Sequence, residues 1–367
     1  MEIKQVTIVG LGLIGGSLGL ALKKARPEIK VVGVDLEQQT LDTGVAVQAV
    51  DWGTTRLSQG VKEADVVVLA TLVKAMPGLV QEAAPFLKAG AIITDVGSTK
   101  AKLVKQLSAL LPAGTSYVGG HPMAGAETRG IESADPYLFE NAVYVLTPVP
   151  ETDQGALTAV TELIRLTGAK VLLLSPEEHD AIVAAVSHLP HLTAAALVNA
   201  VARREEEVPG TFQLAAGGFR DATRIAESSP EMWQDIFLDN KETLLPMIRA
   251  YRRSLAELEE AIAGGNREKL YRLLAGAQEK RRQIPAKQKG LLPGIHEIIV
   301  TVPDQPGEIG KLAALLGIKG INIMDIEILR IREGDGGTIR VGFATAAEAG
   351  QALKVLQNND YLAWLKQ

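Results

Sequence analysis

The chain has 367 residues, 47% of them apolar, which is more than a single hydrophobic core organises, so two or three domains are expected. Its net charge of -5 is spread without a basic stripe, which argues against nucleic acid as a partner, and the absence of cysteine excludes disulfides, thiolate nucleophiles and Cys-ligated zinc. The five histidines are not spaced as a metal cluster, and the N-terminus enters a strand without a signal-like segment, so no metal, no membrane-spanning run of ~20 apolar residues and a cytoplasmic location are expected.

The first element is the β-branched run Val6-Thr7-Ile8-Val9, followed at once by Gly10-Leu11-Gly12-Leu13-Ile14-Gly15 and a helical stretch over residues 18–24. Strand, glycine turn and helix in this order make a dinucleotide site. The first glycine permits the turn, the second lets a pyrophosphate approach the main chain, and the third lets helix and strand pack, while the helix N-terminus offers free N–H groups to phosphate. A second strand, residues 30–34, ends in Asp35, 20 residues beyond Gly15, where a carboxylate accepts from the adenosine ribose and repels a 2'-phosphate; the pattern predicts NAD rather than NADP.

After one helical segment the alternation continues with strands at 65–71 and 91–95 and helices at 76–87 and 100–111, near-continuous apolar strands of the kind buried on both faces of a parallel sheet. A short strand from Ser116 brings the stretch GGHPMAGAE, residues 119–127, to the carboxyl edge, where Gly10, Asp35, Thr71, Ser98 and His121 gather, with small residues leaving room for a ligand and Pro122 ending the strand. Strands at 142–147 and 170–174 flank a helix at 154–167 and extend the sheet, and the nucleotide domain is expected to span residues 1–175.

Ser175-Pro176-Glu177-Glu178 is a capping box that opens a long Ala-rich helix reaching about residue 204, which carries Ser187, His188, Pro190 and His191. Pro190 removes one helical N–H and is expected to bend the helix or free a carbonyl. Two histidines on an otherwise apolar helix read first as satisfied core residues. Gly217-Gly218-Phe219-Arg220-Asp221-Ala222-Thr223-Arg224 supplies two guanidinium forks suited to carboxylates, and a second long helix is expected from Pro230 to about residue 264. Residues 176–285 thus read as almost all helix, with broad apolar faces that one copy cannot cover, which predicts a homodimer. A linker at 286–294 precedes a βαββαβ order over residues 295–367, the ferredoxin-like arrangement.

With these motifs in hand, residues 1 to about 285 resemble the prephenate dehydrogenases of tyrosine biosynthesis: the glycine fingerprint, Asp95 to Lys100, Gly120 to Gly125 with Glu127, Ser187 to His191, and Gly218 to Ile225 ahead of Trp233. The tail resembles an ACT domain, with Asp304, Pro306, Gly307, Asn322 and Ile323 at its turn and interface positions. The resemblance implies an α/β chain of three parts: a Rossmann-type doubly wound sheet, an all-helical dimerisation domain and a ferredoxin-like ACT domain. It implies NAD-dependent oxidative decarboxylation of prephenate, with tyrosine as effector at the ACT domain. His121 is implied as the proton acceptor, oriented by Ser98, and Arg224, His191, His188, Ser187 and Glu127 as substrate contacts. Gly10, Gly12, Leu13, Ile14, Gly15, Asp35 and Thr71 are implied to hold NAD. Arogenate as substrate, and a non-catalytic sensor of NAD and an amino acid, stay open at this point.

Overall fold

The computed structural model describes residues 2–125, 128–284, 296–303, 305–329 and 337–365. Two of the expected site residues, Glu127 and Asp304, and the expected linker at 286–294 lie outside the described residues. The chain divides into two compact units, Met1–Ile284 and Pro285–Gln367.

In the first unit, β1 (Gln5–Val9), β2 (Lys30–Val34), β3 (Trp52–Thr54), β4 (Val66–Leu69), β5 (Ile92–Asp95), β6 (Ser116–Pro122), β7 (Val143–Thr147) and β8 (Lys170–Leu173) form one sheet in the order β3-β2-β1-β4-β5-β6-β7-β8. The central strands β1, β4 and β5 are buried along their whole length because both faces are covered. Along β4, Val66 and Val68 join the core under α1 (Leu13–Ala25) and α6 (Gln154–Arg165). Val67 and Leu69 join the opposite core, under α4 (Met76–Ala83) and α5 (Ala101–Leu110). Each fully buried Val or Leu contributes roughly 1.5–3 kcal/mol, which fixes the register of the strands that carry the site.

Two features depart from the reading of the sequence. Residues 38–61 hold more than one helix: α2 (Gln38–Ala46) is followed by the three-residue edge strand β3 and by α3 (Leu57–Val61), too short to show a period. The sheet is not parallel throughout, because β7 pairs antiparallel with the last four residues of β6, and β8 then runs parallel to β7. As expected, β6 carries His121, opposite Val145, at its carboxyl end and stops on Pro122, opposite Tyr144. Proline is tolerated there because the strand ends on it.

Beyond β8, Ser175 and Glu178 form the expected capping box at the start of α7 (Pro176–Val183), which passes through a π-helical turn, Ala184–His188, into α8 (Leu189–Glu207). By length and composition the run Pro176–Glu207 is apolar enough to cross a membrane, against the expectation of no such run. Its buried His179, Asp180, His188 and His191 are engaged inside this unit instead. α9 (Gly217–Thr223) follows, and the long helix expected after Pro230 is two, α10 (Pro230–Asp239) and α11 (Lys241–Ala263), parted at Asn240, before α12 (Arg267–Gln283). Leu197, Leu245, Leu255, Ile262, Tyr271 and Leu274 stand exposed on α8, α11 and α12.

The second unit has β9 (His296–Val302), α13 (Glu308–Ile318), β10 (Asp325–Leu329), β11 (Gly337–Phe343), α14 (Ala346–Gln357) and β12 (Leu362–Leu365), the expected βαββαβ order, with the tail supplying the last strand. Its sheet is antiparallel, order β10-β11-β9-β12, and Ile298, Val300, Ile339 and Val341 pack with Leu312, Leu316, Ala352 and Leu356 of the two helices.

Candidate active site

The turn after β1 is shaped by two glycines. Gly10 has φ +95°, and a Cβ there would lie 2.6 Å from the Ala70 carbonyl; at Gly15 it would lie 2.0 Å from the Gly10 carbonyl, so neither position accepts a side chain. Above Gly12 there is open space, and α1 begins at Leu13 with no side-chain cap and no acidic residue in its first turn, leaving its N–H groups to an anion. The Asp35 carboxylate at the end of β2 accepts from Leu11 N at 2.8 Å and so ties the turn to the neighbouring strand. Thr71, against Gly10, has a buried hydroxyl with no partner among the described residues. A phosphate-accepting helix end, an open glycine and an orphan hydroxyl at one edge fit a dinucleotide.

Across the same sheet, β6 presents His121, partly exposed. Its Nδ1 lies 2.7 Å from His179 Nε2, and His179 Nδ1 lies 2.8 Å from Asp180 Oδ1. Asp180 also accepts from Lys100 N and Ala101 N, both at 2.8 Å, so that a carboxylate on α7 caps α5 across 80 residues of sequence. The Asp180 carbonyl accepts from Asn240 Nδ2 at 2.9 Å, and the same amide faces His188 Nδ1 at 3.1 Å. Beneath His121 lies a second buried carboxylate, Asp95, which accepts from Tyr117 OH at 2.6 Å, Gly97 N at 2.6 Å, Gly120 N at 3.2 Å and the Lys100 ammonium. Four donors on one carboxylate satisfy it fully and join the turn after β5 to the strand that carries His121.

These surroundings set the charge of the imidazoles. Burial holds His121 well below the usual histidine range, and the neighbouring His179, Lys100 and His188 lower it further. Burial pushes His188 down to about 4, against the opposing pull of Asp180. Burial also lowers Lys100, with Asp95 resisting, and raises the Tyr117 hydroxyl. His191 stacks on Trp233 at 3.7 Å and 7°, and His191 Nδ1 and Trp233 Nε1 are buried without partners among the described residues. The site thus combines an imidazole held neutral with orphan polar groups suited to a polar ligand.

Comparison with known proteins agrees with this arrangement. Residues 18–173 match the model described as prephenate dehydrogenase, nucleotide-binding domain; residues 175–276 match prephenate dehydrogenase, dimerization domain; residues 296–358 match the ACT domain. Prephenate dehydrogenase of Bacillus subtilis is 37% identical over 353 residues, covering 96% of this chain and 95% of that protein. The chain belongs to the prephenate dehydrogenase family. It is an NAD-dependent oxidoreductase of that family, and the Rossmann-like sheet, the helical region and the ACT-like sheet are those of its three parts. Among solved structures, Aquifex aeolicus prephenate dehydrogenase in complex with hydroxyphenyl propionate and NAD+ is 35% identical with a TM-score of 0.73, covering 78% of this chain and 99% of that one. Synechocystis arogenate dehydrogenase is 34% identical with a TM-score of 0.67, covering 77% of this chain and all of that one, 100%.

Within this family member, the structure brings some of the sequence-expected residues together and separates others. Gly10, Gly12, Leu13, Ile14, Gly15, Asp35 and Thr71 share one edge of the sheet. His188 and His191 meet around Trp233. Ser187 lies half-buried in the π turn, and Arg224 stands exposed where α9 gives way to a short turn packed on α8. Ser98 sits half-buried after β5 and makes no hydrogen bond to His121 among the described residues; His179 makes the orienting contact expected of it. Gly119 and Gly120 do not make room for a ligand either, since a Cβ would strike Thr147 Oγ1 at 2.4 Å in the first and the Asp95 carbonyl at 2.5 Å in the second. In the ACT unit, Pro306 and Gly307 open α13, whereas Asn322 and Ile323 follow it. An 11-residue helix, roughly 16 Å at 1.5 Å per residue, separates the two pairs, so one copy does not unite them.

The sequence alone does not single out His179, Asp180 or Asn240, and it marks Asp95 and Lys100 only as the ends of a family-like turn. The one local signal was the His179-Asp180 pair in the first turns of a capped helix, an acid beside a base in an Ala-rich segment.

Proposed function

We propose that the chain oxidises and decarboxylates prephenate to 4-hydroxyphenylpyruvate with NAD, as a homodimer, and that tyrosine regulates it through the ACT unit. The observation that carries the reading is the neutral imidazole of His121 on the sheet edge that also bears the glycine cradle. NAD, when bound, supplies the hydride acceptor, and Gly10, Gly12, Gly15, Asp35 and Thr71 hold it. As the C4–H bond breaks, positive charge builds at the C4 hydroxyl, and His121 Nε2 takes the hydroxyl's hydrogen bond or proton. The bond to the ring carboxylate then releases carbon dioxide, its electron pair completes the aromatic ring, and the proton returns to the phenol oxygen.

The two carboxylates of the substrate call for donors that stay uncharged or cationic at neutral pH. His191, whose Nδ1 is unpartnered among the described residues, and the Arg224 guanidinium take this role, with His188 and Ser187 beside them. Exposed apolar side chains on α8, α11 and α12 and the match to a dimerization domain support the homodimer.

Steady-state NAD reduction with prephenate, with arogenate, and with added tyrosine tests the whole reading. Turnover of prephenate with the higher kcat/KM, inhibited by tyrosine, is the expected result. A higher kcat/KM with arogenate assigns the arogenate dehydrogenase reading, which the Synechocystis likeness favours, and no turnover of either substrate refutes both. Inhibition that persists in a chain lacking residues 295–367 moves tyrosine away from the ACT unit.

A further inference from the structure

The proton acceptor proposed for His121 must be the nitrogen that faces the substrate, and an imidazole has two nitrogens with one proton between them when neutral. Which one carries it is decided by what the other touches. Asp180, an acceptor-only carboxylate, faces His179 Nδ1 at 2.8 Å, so that nitrogen bears the proton of His179 and donates. His179 Nε2 is left with a lone pair, and the atom 2.7 Å from it is His121 Nδ1. A lone pair there accepts only if His121 Nδ1 carries a hydrogen. The remaining nitrogen, His121 Nε2, is then unprotonated.

Resting on the function proposed above, we infer that His179 and Asp180 are positioning residues that lock His121 in its Nδ1–H tautomer and so leave Nε2 as the base. Three further observations support an arrangement built for this end. His179 is fully buried and Asp180 nearly so, which keeps water from competing for either hydrogen bond. Asp180 is held by the first two N–H groups at the start of α5, so its carboxylate cannot turn away. Asp95 accepts from Gly120 N, the residue before His121, and fixes the strand from below. The ring centroids of His121 and His179 are 5.0 Å apart with the planes at 71°, so the two nitrogens 2.7 Å apart meet edge to edge, and an N–H in the plane of one ring points at the lone pair in the plane of the other.

Imidazole 15N NMR on the full-length chain with NAD bound reads the tautomer directly and needs no substrate, with the His121 resonances assigned by their loss in His121→Asn. A protonated Nδ1 and an unprotonated Nε2 are expected at neutral pH. The opposite pattern, with the proton on Nε2, overturns the inference. In kinetics, His179→Leu removes the acceptor and should lower kcat by on the order of 10- to 100-fold, part of a general-base contribution, with KM for prephenate and NAD near wild type. His179→Gln, whose Oε1 occupies the place of Nε2, should restore most of kcat and the Nδ1–H signal. If the leucine variant does not fold, the glutamine variant decides alone: a wild-type melting temperature with an Nε2–H resonance overturns the positioning role. Failure of prephenate turnover in the wild type would refute the proposed function and leave the tautomer measurement standing.

Discussion

The glycine turn after β1 is assembled from residues within six positions of one another, whereas the path from His121 to Asn240 joins residues 58, 1 and 60 positions apart. Both lie on one sheet edge, yet the first uses backbone shape and the second uses side-chain protonation. A cradle made of main-chain groups tolerates changes in its surroundings and fails through sterics, since a Cβ added at Gly15 would lie 2.0 Å from the Gly10 carbonyl. A relay of buried polar groups fails through a single unpaired atom. The difference predicts that substitutions in the relay strike the chemical step, while those in the cradle strike cofactor affinity.

The largest effect tests the relay at its working end. His121→Asn should cut kcat by about 10²-fold or more and leave NAD affinity near wild type, because the amide cannot accept a proton while the glycine turn is untouched. Equal losses in kcat and in NAD affinity would show that cradle and relay are one unit. Next comes acid stability. His121 and His188 bind fewer protons folded than unfolded, so the stability they contribute is fully present above pH 6.5 and falls as the pH drops below it. For His188 the window runs from 6.5 down to about 4, a loss of roughly 3 kcal/mol across it. Urea unfolding of wild type and His188→Asn at pH 7 and 4.5 checks this, the variant lacking that part of the slope. The acid limb of kcat should lie well below 6.5 as well, since burial holds His121 neutral.

Arg224→Gln follows, with a smaller effect on a different constant. Loss of charge-assisted bonds of ~1.5–3 kcal/mol should raise KM for prephenate by about 10- to 150-fold with kcat little changed. An unchanged KM would take Arg224 out of the substrate site.

The same contrast explains what could be read in advance. The sheet, its helices and the glycine cradle follow from apolar runs and glycine spacing, which act over a few residues. The relay did not, for a helical reason. His179 and His188 are nine residues apart, two and a half turns at 3.6 residues per turn, and so belong on opposite faces of a regular α-helix. The π turn at Ala184–His188 takes up about one extra residue and swings His188 back toward the face of His179, so both are buried. Pro190, which has no N–H for the Val186 carbonyl, lies two residues past the end of that turn. The sequence predicts a bend or a freed carbonyl at Pro190, but not the consequence for the histidines. Likewise the interruption at Asn240 looks like a lapse in a long helix until its side chain is seen bridging Asp180 and His188.

The smallest effect asks how far the cradle is backbone alone. Asp35 is its one charged side chain, and it has two tasks, holding Leu11 N at 2.8 Å and facing the ribose of the proposed NAD. Asp35→Asn keeps an acceptor for Leu11 and loses the charge; it should weaken NAD by about fivefold, near 1 kcal/mol, and relax the discrimination against NADP. Asp35→Ala loses both tasks and should cost a further factor of about five in NAD affinity. Titration of both variants with NAD separates the terms. If alanine and asparagine bind NAD equally well, the bond to Leu11 contributes nothing, and the turn is held by glycine sterics and the β1–β2 register alone. If alanine is the weaker, the cradle also depends on a contact 24 residues away, and the line between local backbone and long-range side chain runs through Asp35 itself.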